Sequence, residues 1–439
     1  MDHFLRTRTR LAAAAGAGAL SLLSLPLLAA PASAVAAPPA ASTTAADLGA
    51  AYLASQINGS GFVPGTGGTA DLGSTVQAVL AFHAVGAGGP KAAAAEAYVA
   101  ANAATYLGGG TPTTDDPARL ARLIMVAVTT GANPASYGTG SIDLVARLLA
   151  TQNQYTADGP VDAGLFGAAD PTFDGAYRQG LALAALTAAG VTNPAGSGWL
   201  TSQQCADGGW MSYRADTSVA CTPADPNTFS GEDTNSTALA IEGLVAQGVS
   251  IPVSPLTVLH GLQSTDGGFG FFGGTSDPDS TAVVLQALLA FGEDPASVSW
   301  SAGSANPYTA LVGFQLGCAT ATPGAFFFGT ASSGANMFAT LDAVPAVAGK
   351  PFPLAASTSA AAPAVGCAAI QQPASPSPTP TPTPTSTTAA LPVAATADPT
   401  LPSTGSSATG MLVLFGAAFL VTGAAALVVA RGSRRAHRG

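Results

Sequence analysis

Charge is scarce in this chain. Of 439 residues 9% are Asp, Glu, Lys or Arg, with 14 basic against 24 acidic and a net charge of −10. A protein that holds nucleic acid neutralises phosphates with many Lys and Arg side chains. This composition excludes that class of partner and disfavours anionic lipid surfaces. Histidine and cysteine are as sparse, at four each, and no CxxC or Cys/His ligand spacing occurs. The interior of the chain keeps only His83 and His260. A zinc site needs three or four well-spaced donors, so no metal and no cofactor are expected. Segments with strand periodicity are also missing; the Gly-rich stretches are too short and irregular to build a sheet.

The two ends carry addresses. Arg6, Arg8 and Arg10 precede an apolar run from Leu11 to Ala30, and Ala32-Ser33-Ala34 offers the small residues of a signal-peptidase site. Residues 1–34 read as a secretory signal. Met411 to Ala430 is an uncharged run of membrane-spanning length, followed by Arg431, Arg434, Arg435 and Arg438. Leu401-Pro402-Ser403-Thr404-Gly405 stands just before it. That order resembles the sorting signal of sortase substrates. The resemblance implies cleavage between Thr404 and Gly405, covalent transfer of Thr404 to peptidoglycan, and a membrane span only before sorting. A permanent single-pass anchor is the alternative. Trimming both ends leaves 7 basic residues against 23 acidic ones, a net charge of −16. Residues 371–400, with Ser-Pro and Thr-Pro repeats, favour an extended stalk. The folded part is then residues 42–370. In an exported chain the four cysteines suggest disulfides. Of three connectivities the nearest-neighbour one, Cys205–Cys221 with Cys318–Cys367, is expected.

Self-similarity organises the middle. Gln204 leads to Asp207-Gly208-Gly209-Trp210 and then Asp233-Thr234-Asn235-Ser236-Thr237; Gln263 leads to Asp266-Gly267-Gly268-Phe269 and then Asp279-Ser280-Thr281. Gln56 likewise precedes Gly61-Phe62 and Asp71-Leu72-Gly73-Ser74-Thr75; weaker copies start at Gln152 and Gln315, and Asp116 opens a further helical run. Helix starts fall near residues 71, 116, 174, 233, 279 and 336, giving six units. Each unit reads as an outer helix with one wet face, as in Lys91 to Leu107 and Ser141 to Gln152, where Asp143 and Arg147 are an i,i+4 pair. An inner helix, apolar all round, follows, as in Thr237 to Gln247 and Ser280 to Phe291. Such a helix must be covered on every side. The expected fold is all-α, a closed (α/α)6 barrel of six hairpins with an inner wall nearly free of ionisable groups. The stalk and one C-terminal transmembrane helix follow it.

The segment Trp199-Leu200 through Gln204 to Gly208-Gly209-Trp210 resembles the QW motif of squalene and terpenoid cyclases, and Val258-Leu259 through Gln263 to Phe269 is similar. The likeness to that repeat and to the prenyltransferase β-subunit covers about residues 45–345. It implies an α/α toroid in which the Gln caps helix ends and the aromatic wedges between hairpins.

Chemistry is thinner. Asp277-Pro278-Asp279-Ser280-Thr281-Ala282 is similar to the DxDDTA motif of class II cyclases, with Asp279 in place of the proton donor and Ser280 in place of the last Asp. Against this, Asp71 and Asp233 stand before Ser and Thr in the same way, as helix caps do. Asp279 is therefore expected to cap its helix, and Asp279, Asp277 and Asp233 are the candidates should the domain be catalytic. A glycan-cleaving pair drawn from Glu232, Asp233, Asp174 and Asp279 is another option. Cys367-Ala368-Ala369-Ile370-Gln371 lacks the Cys-Gly-Glu-Gln form of a thioester. The favoured reading is a wall-displayed binding domain. Its contact surface comes from the Gly-aromatic loops (Phe62, Phe166, Trp210, Phe269, Phe271, Phe272, Phe326, Phe327, Phe328), and it takes an unknown extracellular ligand. A divergent extracellular enzyme is the alternative.

Overall fold

The computed structural model describes residues 36–108, 115–153, 162–168 and 174–363. The expected signal segment, the 371–400 stalk, the LPSTG signal with its apolar run and basic tail, and Cys367 lie outside the described residues.

The chain is all-α, and among the described residues its helices come in six successive pairs. They are α1 (Ala40–Gln56) with α2 (Leu72–Val85), then α3 (Gly89–Ala101) and its one-turn continuation α4 (Ala103–Tyr106) with α5 (Pro117–Thr129). Next come α6 (Leu144–Ala150) with α7 (Gly175–Ala188), and α8 (Pro194–Ser202) with α9 (Thr234–Ala246). The last are α10 (Leu256–Leu262) with α11 (Pro278–Phe291), and α12 (Pro307–Gly313) with α13 (Met337–Val347). The second helix of each pair is covered nearly all round; in α11 every residue from Ser280 to Leu289 is buried. The first helices keep a wet face, with only Leu144 and Leu148 buried in α6 and only Leu259 in α10. That division follows from composition, because a helix without a polar stripe gains most by losing all its water.

The second helices touch one another in a cycle: α2 with α5, α5 with α7, α7 with α9, α9 with α11, α11 with α13, and α13 with α2. Two glycines set the approach of α7 to α9. A Cβ on Gly180 would lie 1.9 Å from the Leu239 carbonyl oxygen, and one on Gly243 would lie 2.6 Å from Gly180 Cα.

The repeat motif has two hydrogen-bonding jobs. The Gln amide donates to the glycine carbonyl of its own loop and to the following unit: Gln204 to Gly208 and Val253, Gln263 to Gly267 and Trp300, Gln315 to Gly324 and Ala45. The last of these joins the final pair to the first. The Thr hydroxyl of the next helix accepts the N–H of the loop residue: Thr75 from Val63, Thr237 from Trp210, Thr281 from Phe269, Thr340 from Phe326. The loops form isolated bridges, Gln204 with Trp210 and Gln263 with Phe269. The one small sheet among the described residues pairs β1 (Val63–Pro64) with β2 (Ala70–Asp71), antiparallel.

Two local expectations are corrected. Helix α11 starts at Pro278, and its cap is Asp277, whose carboxylate accepts the Ser280 N–H at 2.7 Å. Asp279 is not the cap. Asp143 caps α6 through the Ala146 N–H instead of pairing with Arg147, which donates to Asp115 from Nε (2.6 Å) and Nη2 (2.5 Å). A two-atom charge-assisted pair with a buried carboxylate outcompetes an exposed i,i+4 contact.

After α13 the chain runs as a strap across the ends of the second helices. Phe352 N–H donates to Glu242 Oε2 of α9 (2.7 Å), Ser357 N–H to Thr129 O of α5, and Gln286 of α11 donates to Lys350 O. Ser357 Oγ meets His83 of α2, and Ser359 Oγ donates to Glu96 of α3.

Candidate functional site: an interior cavity and an aromatic edge

All six second helices, together with Phe352 of the strap, line one cavity of about 30 Å3. Its polar wall is Gln77, Arg122, Tyr177, Glu242, Gln286 and Asp342. The inner wall is therefore not nearly free of ionisable groups. Glu242 and Gln286 stand within apolar runs of α9 and α11, after the Ser and Thr residues of the helix starts. Glu242 is 1% exposed, and burial pushes its carboxyl up to about 8, opposed by the Phe352 N–H. Burial also raises Asp342, against the pull of Arg122.

Asp279, the second residue of α11, is part-buried and stands outside the lining of this cavity. Its Oδ1 is buried without a hydrogen-bond partner. Burial, then the carboxylates of Asp342 and Asp277, drive its pKa upward. A carboxyl held protonated in this way is chemically able to donate a proton.

The other sequence candidates scatter. Asp233, pushed up to about 7 by burial, caps α9 through the Ser236 N–H at 2.6 Å. Glu232 is 4% exposed and pushed up to about 7 by burial and by Asp207; it sits beside the Cys205–Cys221 disulfide. Asp174 opens α7 without a capping bond and pairs with Arg178 at 3.4 Å. The carboxylates grouped in the glycan reading thus have separate neighbours, and only Asp279 turns toward a second interior acid. His83 lies between Ser357 and Glu96, each at 3.1 Å. His260 stacks on Trp300 with ring centroids 3.8 Å apart.

The disulfide Cys205–Cys221 is formed as expected. For the other expected pair, Cys367 lies outside the described residues.

The aromatic residues divide sharply. Trp210, Phe269, Phe166 and Phe326 are fully buried, so they pack between pairs and cannot meet a partner. Phe62 is half-buried against Tyr98. Phe271 and Phe328 are exposed, and Phe272 is half-buried. Phe229 is 72% exposed, and the sequence reading missed it because its loop carries no repeat motif. Its ring meets Phe272 edge-on at 6.3 Å, and Phe272 meets Phe271 at 4.4 Å. Phe338 is also exposed and precedes Asp342 by one turn of α13.

No protein-family model matches this chain, and no curated protein matches it.

Proposed function

We propose that residues 36–363 form a closed (α/α)6 toroid of the terpenoid-cyclase and prenyltransferase type, exported and anchored to peptidoglycan through Thr404. In this reading it works as a binding domain, with the Phe229, Phe271 and Phe272 cluster as contact surface. The cyclic helix contacts and the Gln315 to Ala45 bond support the toroid. The observation that carries the binding role is a ring cluster at the surface, with Phe229 and Phe271 exposed and the half-buried Phe272 in contact with both. Clusters of exposed aromatic side chains mark contact surfaces. Anchoring is tested by fractionating cells. Wild-type protein is expected in the muralytic digest, and a Thr404→Ala variant in the membrane. Equal distribution of the two would refute sorting. Binding is tested by arraying the chain and its Phe229→Ala/Phe271→Ala/Phe272→Ala variant on wall glycans and peptides. Binding that the triple variant loses supports the role, and no such difference refutes it.

A second reading has one observation in its favour, the unpartnered Asp279 beside Asp342. There the domain is an extracellular acid-base enzyme. Turnover of an isoprenoid or glycan substrate that vanishes in Asp279→Asn would favour it over the binding role.

A further inference from the structure

The fold holds Phe229 out on purpose-built backbone. Its φ is 50°, in the left-handed region that bulky residues avoid. The turn beneath it is tied by Asp225, whose carboxylate accepts from Asn227 N–H (2.8 Å), Asn227 Nδ2 (3.1 Å) and Thr228 Oγ1 (2.8 Å). The base of the loop is clamped by Cys205–Cys221. Pro226 packs over Gly274, which joins this loop to the one carrying Phe271 and Phe272. A preordered ridge of three rings results, one that loses little entropy on docking.

Its surroundings have one sign. Between Cys205 and Ser280 the sequence holds a single Lys or Arg, Arg214, against four carboxylates outside the interior, Asp207, Asp216, Asp225 and Asp266. That guanidinium is turned inward onto the carbonyls of Gln203, Gln204, Thr217 and Val219. Asp207, Asp216 and Asp266 are exposed. Hydrogen bonds from Ser218 hold Asp216 below the usual carboxylate range, and those from Asn227 and Thr228 do the same for Asp225. An apolar ridge in an acidic field is complementary to a partner with an apolar stripe and cationic flanks.

We propose that this edge binds a cationic amphipathic helix, its apolar face on Phe229, Phe271 and Phe272 and its Lys or Arg side chains toward Asp207, Asp216 and Asp266. The proposal rests on the binding role above and adds the chemistry of the partner. The test uses the full chain in phosphatidylcholine nanodiscs and a fluorescent synthetic Leu/Lys amphipathic helix, read by anisotropy. Expected are an affinity that falls with salt and a loss of roughly tenfold or more in the Phe229→Ala/Phe271→Ala/Phe272→Ala variant. An Asp207→Asn/Asp216→Asn/Asp266→Asn variant should flatten the salt dependence. Circular dichroism melting checks that both variants fold. A Leu/Gln helix that binds as tightly, and still depends on the three rings, overturns the cationic partner and leaves the binding role standing. Binding of neither helix, or binding indifferent to the Phe substitutions, overturns this edge as a docking surface.

Discussion

In Asp277-Pro278-Asp279 two carboxylates flank one proline and meet opposite surroundings. Asp277 accepts the Ser280 N–H, and Asp279 leaves Oδ1 buried and unpartnered. Asp277→Ala should therefore cost about 0.5–2 kcal/mol of stability, as loss of a cap does. Asp279→Asn should be neutral or stabilising near neutral pH, since the amide never has to ionise in the interior. Urea titrations of the two variants check the contrast. The buried acids also set a pH dependence. Burial pushes Glu242 to about 8 and Asp233 and Glu232 to about 7, well above the ~4 of an unfolded carboxyl. Between those limits the native state keeps protons that the unfolded chain has released, so stability falls as pH rises. The thermal midpoint is expected to be highest near about pH 4 and to drop toward pH 8. A midpoint that rises over that range would contradict protonated acids in the interior. The spacing of the motif could have resolved Asp277 from Asp279. The capping Asp stands three residues before the Ser in Asp71/Ser74 and Asp233/Ser236, and the same step from Ser280 lands on Asp277.

At the scale of elements, the recurring Thr ties each Gly-aromatic loop to the helix that follows. Thr237→Val keeps the volume but leaves the buried Trp210 N–H without its acceptor, a cost of about 1–3 kcal/mol. Chemical unfolding measures it, and Thr75→Val and Thr281→Val should behave alike. Gly180→Ala should cost about 1–3 kcal/mol, because a methyl group there overlaps the Leu239 carbonyl and α7 must move away from α9. The alternation of wet and covered helices was legible from residue pattern, since burial of a whole helix requires an apolar surface all round. The Thr bonds were not read, although Thr75, Thr237, Thr281 and Thr340 stand at one position of the repeat. A hydroxyl there serves equally well as a cap or as a link to a loop, and only the position of the loop decides.

For the whole molecule, the contacts that matter most join residues far apart in sequence. Gln315 reaches Ala45, and the strap from Lys350 onward reaches α9, α11, α5 and α2 in turn. Ending the chain after Lys350 should uncover Glu242 and the apolar wall beneath Phe352. A lower melting temperature and stronger binding of a hydrophobic dye are expected. Unchanged melting would mean that the strap contributes nothing to closure.

From residue pattern alone come the export and sorting signals, as expectations, and the six helix pairs with their covered and wet members, because these depend on periodicity and local spacing. Which acids are buried, which rings reach solvent, and how the strap comes to line the cavity were decided by tertiary packing. The reason is physical: burial and pKa depend on neighbours tens to hundreds of residues away. Asp279 meets Asp342 across two helices, and Phe229 meets Phe272 across two loops, through distances that no local window of sequence contains.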